Sequence, residues 1–144
     1  MKLKILASVT LLTTIFLGAP VKAENTSHVK QLLETRECMG CNLAGADLTG
    51  AHLIGADLRN ANLKGAILVQ ANLEGADLTG ANLKGANLSE AFVSGTSLND
   101  ANLTEVNFSE AKLYNADVDG ATMEDIILTG ATVFNTGISV GGGD

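Results

Sequence analysis

Apolar side chains recur at every fifth residue over most of the chain, from Leu43 to Ile138. The position two residues before each of them is usually alanine, as in Ala-Asn-Leu-Lys-Gly at 81–85. An α-helix repeats its apolar face about every 3.6 residues and a strand every 2, so neither element explains a period of five. A short, strict repeat instead predicts a solenoid, in which each unit buries its apolar side chains by stacking on its neighbours.

The other three positions of each unit are mostly polar, which predicts that they face solvent. The position two residues after the central apolar one is Gly in ten and Asn in three of the twenty units. Because Gly and Asn tolerate a positive φ best, we expect the chain to turn a corner there. The single proline, Pro20, lies outside the repeat, as expected for a ladder that needs its backbone N–H groups.

The motif Ala-(Asn/Asp)-Leu-X-Gly resembles that of the pentapeptide-repeat family over residues 41–140. The resemblance implies an all-β fold, a right-handed quadrilateral β-helix with four units per coil and about five coils. At ~4.8 Å per coil, such a rod is roughly 24 Å long. Residues twenty apart are then expected to stack, as Leu63 on Leu83. One such column is expected to form an amide ladder: Asn42, Asn62, Asn82 and Asn102.

The first 23 residues have the pattern of a secretory signal peptide. Lys2 and Lys4 precede an apolar run over 5–18, and residues 21–23, Val-Lys-Ala, resemble a small-X-small cleavage site. Because the run is short for a membrane span, we expect cleavage and no stable span afterwards, with an uncleaved anchor as the alternative. Cleavage leaves six basic and sixteen acidic residues, a net charge of −10.

A short helix is predicted over residues 26–35, where Val29, Leu32 and Leu33 share one face. An open solenoid end exposes unpaired backbone and apolar side chains, so we expect this helix to cap the first coil. No equivalent helix is predicted at the C-terminal end. This end is a candidate contact for a homodimer, and the alternative is that charge and irregularity alone keep it from pairing. The predicted organisation is a signal peptide over 1–23, a capping helix and linker over 24–40, a β-helix over 41–140 and a flexible tail over 141–144.

Cys38 and Cys41 form a Cys-Met-Gly-Cys segment between the predicted helix and the first coil. In an exported protein, a structural disulfide is the leading interpretation. A redox-active pair is the alternative, but it would need a helix N-terminus in a βαβ setting. A zinc site would need two further ligands. No nucleophile–base pair, metalloprotease motif or phosphate-binding loop is present, so we expect no catalysis, metal or cofactor.

Aromatic residues define the first candidate interaction surface. On a four-unit register, Phe92, Tyr114 and Phe134 all point outward on one wall. Outward aromatic side chains suggest a contact patch in a chain that is otherwise poor in them. The alternative is that the C-terminal tail folds back and covers Phe134.

Carboxylates define the second candidate surface, with Asp57 stacked on Asp77 and with Asp117 and Asp119 lower on the same wall. Residues 41–140 carry twelve acids and four bases, a net charge of −8. Over ~24 Å this is one net charge per ~3 Å, against one per ~1.7 Å along duplex DNA. The pentapeptide-repeat family includes proteins proposed to mimic DNA and bind topoisomerases. The alternative for this surface is a solvated face that keeps the protein soluble.

The helix, the Cys-X-X-Cys segment and the repeats together resemble exported pentapeptide-repeat proteins of cyanobacteria and thylakoid-lumen proteins of plants. This resemblance implies a location in the periplasm or the thylakoid lumen. We therefore expect a non-catalytic rigid scaffold or protein-binding module, with an unidentified protein partner and no bound nucleic acid. The alternative is an acidic DNA-mimic inhibitor of a nucleic-acid enzyme such as a topoisomerase.

Overall fold

The computed structural model describes residues 26–138, so the predicted signal peptide and the 141–144 tail lie outside the described residues. Helix α1 spans Thr26–Thr35 and confirms the predicted helix. A regular series of turns and single bridges follows, in which strands β1 (Lys112–Tyr114) and β2 (Thr132–Phe134) pair in parallel. Within this range, no helix is long and apolar enough to cross a membrane.

Every bridge joins residues twenty apart in parallel, from Glu37 with Asp57 to Asn107 with Ile127. Adjacent coils donate backbone hydrogen bonds to each other in both directions. Leu63 N donates to Asn82 O in the next coil at 2.8 Å, and Asn82 N donates back to Ala61 O at 2.9 Å. The predicted register is therefore confirmed. Because the backbone groups of each coil are satisfied by the next, the fold needs no long strands.

Each pentapeptide ends in a tight turn, for example where Ala46 N donates to Leu43 O at 3.0 Å. The residue before the alanine has a positive φ, such as +64° at Gly65, which is the conformation that a type II turn requires. Longer side chains adopt this conformation as well, although it is unfavourable for a residue with a Cβ atom. They lie at Gln70, Glu90, Asp100, Glu105, Glu110 and Asp125, with φ of 53–59°.

The core is a column of leucine and alanine side chains that runs through the solenoid. Leu63 and Leu83 are both fully buried, as predicted, and Phe108 is the largest fully buried side chain. Thr96 is the polar exception at an inward alanine position, and its hydroxyl donates to Leu73 O at 2.8 Å. This bond removes the desolvation penalty of a buried hydroxyl.

Helix α1 packs on the first coil. Leu32 is fully buried in the core, and Asn42 N donates to His28 Nδ1 at 3.1 Å. Just after the helix, Cys38 and Cys41 are joined by a disulfide, with their Cα atoms 5.1 Å apart. The disulfide therefore closes the connection between the helix and the coils.

The predicted amide ladder forms only at its first step, where Asn62 Nδ2 donates to Asn42 Oδ1 at 3.2 Å. The rest of the column forms no amide ladder, and its side-chain oxygens accept hydrogen bonds from their own turns. Asn82 Oδ1 accepts from Lys84 N at 3.1 Å, and Asn102 Oδ1 accepts from Thr104 N at 3.0 Å. An Asx turn does not by itself prevent stacking, because Asn42 Oδ1 accepts both from Ala44 N at 3.3 Å and from Asn62 Nδ2.

Candidate interaction surfaces

The aromatic wall consists of Phe92, Tyr114 and Phe134, which lie on one outer face of the solenoid. Tyr114 and Phe134 are direct partners in the β1–β2 pair. Phe92 is bridged to Lys112, which lies two residues before Tyr114 on the same strand. The three residues keep 42%, 36% and 67% of their surface exposed, respectively. The structure therefore brings together all three side chains that were predicted for this wall.

A shallow depression of about 430 Å³ adjoins the aromatic wall. Lys112 Nζ lies 4.8 Å from the centre of the Phe92 ring, which is the geometry of a cation–π contact. Glu90 and Glu110 also line the depression. They occupy the same corner in successive coils and together form the acidic corner. Gln70 completes the lining and donates to Glu90 Oε2 at 2.8 Å.

These corner residues and the Lys112 contact were not singled out from the sequence. A signal for them exists: positions 70, 90 and 110 are twenty apart and each replaces the usual corner glycine. Among the described residues, the Glu110 carboxylate makes no hydrogen bond or ion pair, and no cationic group lies within 4 Å of Glu90. Two carboxylates are thus held one coil apart without a compensating cation at salt-bridge distance.

The acidic wall has the predicted stacking, since Asp57 is bridged to Asp77 and Ser97 to Asp117. Its charge is partly compensated, because Arg59 pairs with Asp57 at 2.7 Å and approaches Asp77 at 3.8 Å. In the lower part of this wall, Asn99 forms hydrogen bonds with both Asp117 and Asp119. Asn99 Nδ2 donates to Asp117 Oδ2 at 2.8 Å, and Asp119 N donates to Asn99 Oδ1 at 2.9 Å.

Two carboxyl groups in the upper coils have perturbed acidities. Hydrogen bonds from the Arg59 guanidinium, followed by its backbone N–H and its charge, lower the pKa of Asp57 below its usual value, although burial opposes the change. The same pairing raises the pKa of Arg59. The hydroxyl and backbone N–H of Thr49 lower the pKa of Asp47. These shifts reflect stabilised carboxylates and not a proton-transfer site.

The remaining sites considered from the sequence have no assembled chemistry in the described part of the chain. Cys38 is fully buried and Cys41 nearly so, and both are in the disulfide. His28 accepts a hydrogen bond from the first coil, whereas His52 is exposed on an outer face. Between residues 26 and 138, no three His, Cys, Asp or Glu side chains are grouped so that they could hold a metal ion.

The fold of this chain is similar to that of several solved structures. A pentapeptide repeat protein from the thylakoid lumen of Arabidopsis thaliana is 35% identical over 67% of this chain and 64% of its own, with a TM-score of 0.50. QnrB1, a plasmid-mediated fluoroquinolone resistance protein, is 21% identical over 67% of this chain and 50% of its own, with a TM-score of 0.54, and this likeness concerns the fold alone. The chain thus spans less than two thirds of the length of either protein.

A third structure, Rfr23 from the cyanobacterium Cyanothece 51142, is 30% identical over 77% of this chain and 97% of its own, with a TM-score of 0.38. No curated protein matches the chain with significant similarity. The family profile described as pentapeptide repeats (8 copies) matches residues 37–75, 56–95 and 93–130. Such proteins fold as right-handed quadrilateral β-helices and are generally structural or binding modules. Because the matched segments cover well over half of its residues, this chain belongs to the pentapeptide-repeat family.

Proposed function

We propose that the protein is a non-catalytic, exported scaffold or protein-binding module that contacts its partner through the aromatic wall. The observation that carries this proposal is the exposure of Phe92, Tyr114 and Phe134 together on one face. These are three of the five Phe and Tyr residues in the chain, and two of them are direct partners in the β1–β2 pair. Clustered, exposed aromatic side chains on a rigid surface are typical of protein contacts.

The rigidity of the scaffold is part of this proposal. We infer about five coils, since residues 37–138 repeat every twenty positions. Helix α1 acts as their N-terminal cap by covering the core with Leu32. A solenoid closed at one end holds the wall in a fixed shape, which lowers the entropy cost of binding.

Export to the periplasm or the thylakoid lumen is supported by the signal-peptide pattern of residues 1–23. The likeness to a lumen protein of Arabidopsis thaliana points in the same direction. Fusion of residues 1–23 to a reporter tests this part. We expect the reporter to be exported, and retention in the cytoplasm would contradict it.

A cross-linking pull-down from the native compartment tests the aromatic wall. The test variant replaces Phe92, Tyr114 and Phe134 by Ser. The control replaces Ile67 and Ile127, which lie in a different column and are exposed to similar extents of 42% and 47%, by Ser. We expect the wild type and the control to capture the same protein and the test variant to lose it. Equal capture by all three, with unchanged melting temperatures, would contradict the proposal.

The C-terminal end of the described coils is the second contact that we propose, as a homodimer interface. Met123, Leu128 and Val133 are only partly buried there, although they occupy core positions. The last coil carries Glu124 and Asp125, and Asp119 lies at the end of the coil before it, so two copies repel each other and salt should strengthen the dimer. Light scattering at rising protein concentration checks this: we expect a dimer that Val133→Asp dissociates, and a monomer at high salt and concentration would contradict it.

Charge mimicry of DNA is the other candidate function. Residues 86–138 carry eight acids and one base, Lys112, so the later coils are strongly negative. Against it, Arg59 compensates the acids of the upper wall and the signal-peptide pattern directs the chain away from cytoplasmic enzymes. A supercoiling assay with purified topoisomerase decides between the two. We expect no inhibition at micromolar protein, and inhibition would favour mimicry.

A further inference from the structure

We propose that the segment bound by the aromatic wall is basic, and that it places a lysine or arginine side chain between the acidic corner and the Phe92 ring. This inference rests on the proposed function, because it specifies the chemistry of the partner at the same wall. It concerns the depression lined by Gln70, Glu90, Phe92, Glu110 and Lys112.

The charge distribution favours a basic partner. Glu90 and Glu110 lie one coil apart, ~4.8 Å along the rod, at the edge of the aromatic wall. Glu90 accepts only from the neutral Gln70 amide, and among the described residues Glu110 has no side-chain partner. A cation placed between these carboxylates would lower their mutual repulsion. An acidic segment, a nucleic acid or an anionic membrane would be repelled by the same face.

The Phe92 ring already accommodates a cation. Lys112 Nζ lies 4.8 Å from the ring centre, and the Phe92 residue keeps 42% of its surface exposed. Lys112 makes no ion pair with any described residue, so its ammonium can leave the ring without breaking a salt bridge. It thus shows where an incoming cationic group would rest, and it competes with that group for the same ring.

The rest of the wall supplies apolar contact for the same segment. Tyr114 and Phe134 are paired across β1 and β2, next to the Lys112–Phe92 contact. A partner segment that carries apolar side chains beside its cation would therefore meet aromatic surface and carboxylates together. Purely apolar or purely basic segments would use only half of the wall.

The probe is a short fluorescein-labelled peptide of alternating lysine and leucine, with a matched peptide that carries glutamate in place of lysine. Binding to the mature chain is followed by fluorescence anisotropy at low ionic strength. We expect the lysine peptide to bind and the glutamate peptide to fail. Replacing Glu90 and Glu110 by Gln should weaken binding roughly three- to tenfold, as expected for two exposed ion pairs.

The matched control replaces Glu105 and Asp125, two acids at another corner of successive coils, by Gln and Asn. This control removes the same total charge from a different corner. If Glu90 and Glu110 act locally, the control should change the Kd of the lysine peptide by less than about twofold. Replacing Lys112 by Gln should strengthen binding about two- to fivefold, because it frees the Phe92 ring. An equal loss in both double variants, or no binding of the lysine peptide, overturns the inference.

The same variants separate this inference from the proposed function. Substitution of the aromatic wall could abolish capture of the native partner while the Glu90/Glu110 variant still captures it fully. In that case the wall is a binding site, and the inference that the bound segment is basic is wrong. If the wall variant still captures the partner, the proposed function itself is wrong. Circular dichroism melting curves establish that each variant is folded.

Discussion

Tyr114 and Phe134 lie side by side in adjacent coils, paired in parallel and both directed outward. They are twenty residues apart in sequence, which is one full circuit of the solenoid. The repeat that buries leucine therefore also lines up exposed residues into columns. This relationship allows a short, regular chain to place exposed aromatic side chains next to each other on one face.

Leu83 lies at the centre of the core and has no exposed surface. We expect Leu83→Ala to lower the free energy of unfolding by about 2–5 kcal/mol, and Leu83→Asp to abolish the fold. The neighbouring Lys84→Ala serves as the control. Lys84 points outward and makes one exposed ion pair with Glu105 at 3.3 Å, so the change should be below about 1 kcal/mol. Urea unfolding checks both values, and similar losses in the two variants would contradict the inward assignment.

The positive φ at the corners should lower the free energy of unfolding when the residue has a Cβ atom. Gly85 has a φ of +68° and open space where a Cβ would be placed, so Gly85→Ala should destabilise the fold by about 1 kcal/mol from backbone strain alone. At the equivalent corner of another column, Glu110 has a φ of +58°. Glu110→Gly should therefore leave stability unchanged or raise it by up to about 1 kcal/mol. Opposite signs in urea unfolding would show that the corners are not left-handed.

The Asp57–Arg59 pair predicts a pH dependence of stability. Because the folded-state pKa of Asp57 is lowered, its stabilisation is present above the unfolded pKa of about 3.9 and is lost as the pH falls through the folded value. The pair is partly exposed, so Asp57→Asn should cost only about 0.2–1 kcal/mol at pH 7. The difference from wild type should vanish near pH 2. A difference that persists there would mean that the variant acts through packing.

Reduction of the Cys38–Cys41 disulfide should lower the stability of the N-terminal end without unfolding the coils. The bond closes a loop of only four residues, for which chain entropy gives about 2 kcal/mol. We expect reduced protein to keep its β circular dichroism and to exchange the amide protons of α1 faster. Hydrogen exchange measured with and without reductant checks this. Unchanged protection of α1 would show that the helix is held by Leu32 and His28 alone.

Much of the fold could be predicted because the repeat leaves few alternatives. A period of five excludes ordinary helix and strand patterns, and it fixes which residues stack once four units make a coil. The burial of Leu63 and Leu83 and the span of α1 follow from local patterns. Periodicity describes backbone register well, because the same hydrogen bonds recur in every coil.

Side-chain partners were harder to predict, because several bonds of similar strength compete for each polar group. Asn82 was expected to bond to its stacked neighbours, but its oxygen accepts from the backbone of its own turn. The sequence identifies Lys112 only as a basic residue, and its position over the Phe92 ring depends on the side-chain conformation. Glu90 and Glu110 count toward the acidic charge of the later coils, but their grouping beside Phe92 was not predicted, because a corner position is normally interpreted for its glycine.

Cross-linking between coils tests the twenty-residue register most directly. Asn87 and Asn107 are bridged in parallel on one outer face, whereas Asn102 lies in a different column, paired with Asn82. Cysteines introduced at 87 and 107 should oxidise to a disulfide, because stacked Cα atoms lie within the ~4.4–6.8 Å that such a bond spans. A pair at 87 and 102 should keep two free thiols in a thiol titration under the same conditions. A disulfide at 87–102 and free thiols at 87–107 would contradict the stacking on which both proposed surfaces depend.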